Sequence, residues 1–358
     1  MDQSTKNHFT NQQFFVGIDA HARQWTVTIR CNQMVLKTFC MNPSPQELSR
    51  YLNKNYPGGD YLSTYEAGFC GFWIHKELTR IGIRNIVVHA ADVPTTDKEK
   101  DRKTDPLDSR KLARELEDKK LESIYIPDLF HQQLRSLCRL RNQVTRNTTR
   151  VKNRIKGFLY YYGVSMPSQS EMSHWSNNFI QWLKQVSFDY PTGQDYLRLC
   201  VEELIQHRKR QLDIIRLLRH YCRQYHLMDC INWLRSVPGI GFVTAMTFYS
   251  ELIDIKRFPN LNHLASYVGL VESVHSSDTR DPDLGLTRRR NRYLRHLIIE
   301  AAWVAIRKDP VLLHKYNALT RRMTKQKAIV HIAKRLLNRI RFVWMNQTPY
   351  VMGIVHSN

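Results

Sequence analysis

Four carboxylates in the first third of the chain have the type and the setting to do chemistry together. Asp19 ends the apolar run Phe14-Phe15-Val16-Gly17-Ile18, and Glu66 ends Tyr61-Leu62-Ser63-Thr64-Tyr65. Asp105 and Asp108 lie in Lys103-Thr104-Asp105-Pro106-Leu107-Asp108. Both apolar runs read as strands, and the last segment reads as the start of a helix. A spacing of three sets Asp105 and Asp108 on one helix face, which carboxylates at strand ends can meet across the end of a sheet. Gathering carboxylates is costly, because like charges repel and raise one another's pKa. A hard divalent cation removes that cost, and Mg²⁺ takes oxygen ligands. The chemistry implied is metal-dependent work on a phosphodiester. Two ions about 4 Å apart would activate a nucleophile and stabilise the leaving oxygen. Taken singly, each residue has a plainer reading: Asp108 as a solvated helix residue, Asp105 as a cap before Pro106, Asp19 as a turn residue. His21, two residues from Asp19, reads as a turn residue, with contact to the metal site as the alternative.

The elements that must position these groups follow from hydrophobic period and turn residues. Phe14–Asp19, Trp25–Cys31 and Met34–Cys40 read as three strands. Pro43-Ser44-Pro45 opens a helix through about Asn55. A strand at Tyr61–Tyr65, a helix from Gly71 to about Arg80 and a strand at Ile83–His89 follow. Asp105 to Glu117 reads as helix, and Leu121–Ile126 as a short edge strand. Residues 1–127 thus form an α/β domain with a mixed sheet.

Composition changes after that. From Leu129 to Tyr162, Leu134, Leu137, Leu140, Val144, Val151, Ile155, Phe158 and Leu159 recur at mostly helical spacing. Arg146, Arg150, Lys152, Arg154 and Lys156 are among the cations on the other faces. A second long helix runs from about Asp195 to Tyr225, and the polar stretch Ser165 to Gly193 between them reads as a linker or hairpin tip. The two helices suggest an antiparallel coiled-coil arm over 128–228, with a helical bundle as the alternative. Residues 229–358 read as an all-α unit of short helices ending in a basic helix.

Bulk properties limit the partners. The chain has 54 Lys+Arg against 32 Asp+Glu, a formal net charge of +22. A polyanion is the expected partner, nucleic acid rather than membrane. No apolar run approaches the roughly 20 residues of a spanning helix. The polar N-terminus lacks a signal-peptide core. Seven scattered cysteines without CxxC spacing suit a reducing cytosol and no zinc site. The expected location is cytoplasmic.

Three features of the C-terminal part bear on nucleic acid. Pro238-Gly239-Ile240-Gly241, between two apolar helices, resembles a helix–hairpin–helix turn. There Gly239 and Gly241 would let backbone N–H groups approach a phosphate. A tight turn that contacts nothing is an equal alternative. Arg288, Arg289 and Arg290, with Arg292 and Arg295, suit bidentate phosphate contact. Ser276 and Ser277 lie in the polar loop Ser273–Asp283. Tyr160-Tyr161-Tyr162, Trp175 and Trp182 suit base stacking or plain core packing.

Several of these motifs occur together, and in order, in one known family. Val16-Gly17-Ile18-Asp19, Tyr65-Glu66-Ala67 and Lys103-Thr104-Asp105-Pro106-Leu107-Asp108-Ser109-Arg110-Lys111-Leu112-Ala113 resemble the DEDD transposases of bacterial insertion sequences, relatives of the Piv DNA invertase. So do Ser236-Val237-Pro238-Gly239-Ile240-Gly241, Phe258, Ala265-Ser266-Tyr267-Val268-Gly269-Leu270 and Asn291-Arg292-Tyr293-Leu294-Arg295. The resemblance implies an RNase H-like, RuvC-like N-terminal domain in which Asp19, Glu66, Asp105 and Asp108 hold Mg²⁺. It implies a serine nucleophile at Ser277, with Ser276 close behind, and strand exchange through a phosphoserine link. It also implies a homo-oligomer, dimer to tetramer, and a noncoding bridge RNA that pairs with donor and target double-stranded DNA. Two positions depart from the family pattern: Asp278 and Arg290 each stand where a glycine is usual. Two rivals stay open: a junction-resolving nuclease that uses water, and a non-catalytic nucleic-acid scaffold.

Overall fold

A computed structural model describes residues 9–94, 105–271, 285–287 and 289–353. The chain forms two compact units, Met1–Ile126 and Pro127–Asn358.

The first unit is built on a five-stranded sheet of order β3-β2-β1-β4-β5. Strands β1 (Gln13–Ala20), β2 (Trp25–Cys31) and β3 (Met34–Met41) form an antiparallel meander, and β4 (Asp60–Glu66) and β5 (Arg84–Val88) add in parallel beside β1. The mixed α/β expectation stands. Helices α1 (Pro45–Asn55) and α2 (Trp73–Arg80) bury Leu48, Leu52, Ile74 and Leu78 in one core with Phe14, Val16 and Ile18. Helix α3 (Asp105–Glu117) lies directly on β1. A Cβ at Gly17 would stand 2.1 Å from Ser109 O and 2.5 Å from Ala113 N, so only glycine lets the two backbones touch. Thr28 and Ser109 hydroxyls meet at 2.9 Å beside that contact. At the other end of α3, Glu117 accepts from Arg30 Nε and from the Gln33 N–H, both at 2.7 Å. One expectation fails here: residues 121–126 are not a strand. Among the described backbone bonds they make one to the sheet, Ile124 N–H to Val87 O. Pro127, with no N–H, then cuts pairing short.

The second unit starts with the long helices α4 (Leu129–Tyr161) and α6 (Pro191–Gln224). They run antiparallel. Thr148 meets Gln211 at 2.9 Å, Arg154 meets Glu203 at 2.8 Å, and the rings of Phe158 and Tyr196 lie 4.3 Å apart. The polar stretch between them is not merely a linker. Asn177–Gln185 forms helix α5, capped by the Ser176 side chain, and buries Phe179, Ile180 and Leu183 against the outer half of the arm. Its polar flanks hide one short apolar stripe.

The inner half of the arm shares a core with helices α7 (Met228–Ser236), α8 (Phe242–Leu252), α9 (Leu261–Val268), α10 (Arg292–Ala305), α11 (Pro310–Thr320) and α12 (Lys325–Asn346). Leu134, Cys138, Ile214 and Leu218 from the arm pack there with Ile231, Phe248 and Leu336. No described helix is long and apolar enough to cross a membrane.

Candidate active site and nucleic-acid interface

The parallel register pairs Gly17 with Thr64 and Ile18 with Tyr65, so Asp19 and Glu66 stand side by side at the carboxyl ends of β1 and β4. Side chains alternate along a strand, so Asp19 shares the face of Gly17, the face on which α3 lies. The first turn of α3 carries Asp105 and Asp108. All four sequence-predicted carboxylates therefore come to one end of the sheet.

Within the cluster they divide into two pairs. His21 Nε2 lies 3.1 Å from Asp19 Oδ2 and 3.7 Å from Asp105 Oδ1. One ligand atom from each of Asp19, His21 and Asp105 falls within 4.8 Å of the others. Lys111 Nζ lies 3.6 Å from Asp108 Oδ1 and 4.0 Å from Glu66 Oε1. Sequence reasoning reads His21 as a turn residue, with contact to the site as the alternative, and gives Lys111 no role. The one available signal for Lys111 was its place three residues after Asp108, on the same helix face.

Burial pushes the Asp19 carboxyl above its ordinary range; His21 opposes this, while Asp105 and Asp108 add to it by repulsion. Negative charge at this end of the sheet is therefore incompletely offset. Carboxylate oxygens with one imidazole nitrogen suit a hard divalent cation.

The predicted nucleic-acid contacts sort into engaged and exposed groups. Gly239 has φ +86°, and a Cβ there would stand 2.3 Å from Ala301 O. Its close approach is to α10, which explains the glycine without a phosphate. Gly241 precedes α8 and has open space at its Cα. Arg295 points inward, donating to Thr287 O at 2.5 Å. Burial and the neighbouring Arg290 push its pKa down. Arg292 lies over the Tyr293 ring, while Arg289 and Arg290 are exposed. Ser276, Ser277 and Arg288 lie outside the described residues.

On the arm, Arg146 and Arg150 are exposed, Arg154 pairs with Glu203, and Lys152 and Lys156 stand over the Trp175 ring at 5.3 and 5.8 Å. Trp175 and Trp182 pack on the outer core, whereas Tyr160 and Tyr161 are 87% and 80% exposed. Sequence reasoning also missed Glu251, which is fully buried. It accepts from Arg139 at 2.7 and 2.9 Å and from Asn291 Nδ2 at 2.8 Å.

Comparison with known proteins finds matches in both the N-terminal and the C-terminal parts of the chain. A DEDD-type IS110 transposase model matches residues 16–163, and the model of the transposase IS116/IS110/IS902 family matches residues 231–317. The chain is 28% identical over 240 residues to the putative transposase y4qE of Sinorhizobium fredii, covering 67% of this chain and 57% of that protein. It is 29% identical over 308 residues to the putative transposase y4rJ of the same organism, covering 78% and 76%. It is 25% identical over 240 residues to the transposase for insertion sequence element IS1111A of Coxiella burnetii, covering 67% and 63%. The matched stretch is under two thirds of the length of the first and third of these relatives. With the two family models matched in the order that the motifs require, the chain belongs to the DEDD-type insertion-sequence transposases.

Proposed function

We propose that this protein is a DNA transposase that cuts and rejoins strands at the ends of its own insertion sequence. The observation that carries this reading is the meeting of Asp19, Glu66, Asp105 and Asp108 at the carboxyl ends of β1 and β4, inside the stretch that matches the DEDD transposases. The sheet order, with three antiparallel strands and two more added in parallel, supports an RNase H-like domain.

Asp19, Asp105 and their neighbours would hold Mg²⁺, which when bound supplies Lewis-acid stabilisation of phosphate charge. Ser277, or Ser276 beside it, is the proposed nucleophile. Its Oγ–phosphorus bond forms as a bridging P–O bond of the DNA breaks; the serine proton passes to a nearby base, and the leaving oxygen is protonated. The phosphoserine link keeps the bond energy for rejoining. Arg289, Arg290 and Arg292 would offset phosphate charge. Exposed Arg146 and Arg150 on the antiparallel arm suit a nucleic-acid backbone. A coiled-coil role in assembling dimers or tetramers, and a noncoding bridge RNA that delegates sequence choice to base pairing, complete the proposal. The site of action would be the cytoplasm.

The test is to incubate the full chain with the element's end DNA, its flanking noncoding RNA and Mg²⁺, and to seek a covalent protein–DNA adduct on a denaturing gel. The expected adduct disappears in Ser277→Ala and in Asp19→Ala. Survival in Ser277→Ala with loss in Ser276→Ala moves the nucleophile by one residue. Metal-dependent cleavage without any adduct overturns the phosphoserine step in favour of a junction-resolving nuclease.

A further inference from the structure

The four carboxylates do not stand in equivalent surroundings. Asp19 and Asp105 share His21. Glu66 and Asp108 fall outside that close group of ligand atoms and share Lys111 instead. The Lys111 side chain is only 11% exposed. A lysine whose side chain is this largely buried is best placed with negative charge beside its ammonium. Glu66 and Asp108 supply that charge, and in return they already have a cation between them. A divalent ion placed on the same two carboxylates would repel the ammonium strongly at this range.

We infer that Lys111 takes the place of a second divalent ion. The chain then binds one ion, through Asp19, Asp105 and His21. Glu66 and Asp108 stay closed to another while Lys111 spans them. Lys111 is thus a positioning residue, which fixes two carboxylates and supplies one permanent positive charge that a second ion would otherwise bring. This rests on reading the carboxylate cluster as a cation site, and it departs from the sequence expectation of two ions.

Mn²⁺ is the probe, counted on the full chain by the loss of the free-ion electron paramagnetic resonance signal and by calorimetry, without DNA. Wild type is expected to bind one Mn²⁺ per chain. Lys111→Met should bind two, and Lys111→Arg one. His21→Ala should weaken the first ion by about tenfold or more, the scale of a lost ligand or its support. Two ions in wild type, or no gain in Lys111→Met, overturn the inference and leave the cation-site reading standing. No binding by wild type or by Lys111→Met sinks both. Should Lys111→Met fail to fold, Lys111→Gln, which keeps a polar tip between the two carboxylates but removes the charge, decides: two ions are expected, and one overturns the inference.

Discussion

The two units use charge in opposite ways. In the first, carboxylates gather at an open sheet end, with the Lys111 ammonium and the His21 imidazole among them. In the second, cations dominate and the decisive carboxylates are buried. Glu251 is fully buried under Arg139, and Asp309 is 1% exposed, where it pairs with Arg339 at 2.6 Å and accepts from the Tyr350 hydroxyl. A buried, fully paired carboxylate is a structural anchor, because its partners satisfy it and nothing remains to bind. A half-exposed set whose members repel one another is poised for a cation from outside. The sign of the surplus charge matters less than whether it is already answered.

That contrast can be broken at its strongest point. Glu251→Ala leaves Arg139, and Arg135 whose Nε lies 3.6 Å from the carboxylate, beside an empty pocket, and loss of one partner of a buried pair costs roughly 3–5 kcal/mol. Chemical denaturation should register that loss. Asp19→Ala, by comparison, should leave the midpoint close to wild type and abolish Mn²⁺ binding. Equal destabilisation by the two would erase the distinction.

Gly17→Val tests whether the acid cluster depends on backbone contact. Forcing a side chain between β1 and α3 should cost about 1–3 kcal/mol or more as overpacking. It should also weaken divalent binding, because Asp105 and Asp108 ride on the displaced helix. Retained binding affinity would show that α3 need not touch the strand.

A smaller effect sharpens the electrostatic side. The folded-state pKa of Asp19 is raised, so the ion-free fold favours its neutral form. The stability it contributes is present below the ordinary carboxylate range and is lost as pH rises through its raised value. Asp19→Asn should therefore melt slightly higher than wild type at neutral pH without metal, and the difference should vanish in acid. For the same reason, protons should compete with Mn²⁺ at a higher pH than an ordinary carboxylate would allow. A melting difference independent of pH would contradict the assignment.

The smallest expected stability change lies on the arm. Arg146→Ala and Arg150→Ala should each alter stability by less than about 0.5 kcal/mol. If both contact phosphates, each should reduce the slope of log affinity against log salt by about one. Lys152→Ala, whose ammonium stands over Trp175, should change that slope less. Filter binding across a salt series separates the two cases.

Much of the carboxylate end of the sheet was legible in sequence for local reasons. An apolar run that stops at a carboxylate marks a strand end, so Asp19 and Glu66 could be placed without knowing the sheet. A spacing of three on a helix put Asp105 and Asp108 on one face. The arm was legible because long helical periodicity with no turn residue has few other solutions. Helix α5 was missed because its stripe is short and sits in polar sequence. The Leu121–Ile126 segment was over-read because a short apolar run does not say how far it will pair; among the described backbone bonds it makes one, to the edge strand β5.

The sequence by itself determined the element types, the carboxylate set, the basic surplus and the family resemblance, since each depends on residues that are near neighbours or on simple totals. Only the tertiary structure decided which charges are already answered. Arg139 and Glu251 are 112 positions apart, Gly239 meets Ala301 across two helices, and Lys111 reaches Glu66 from a different element. Such pairings arise from how the elements pack, and a Coulomb interaction falls off with distance in space, not with separation along the chain.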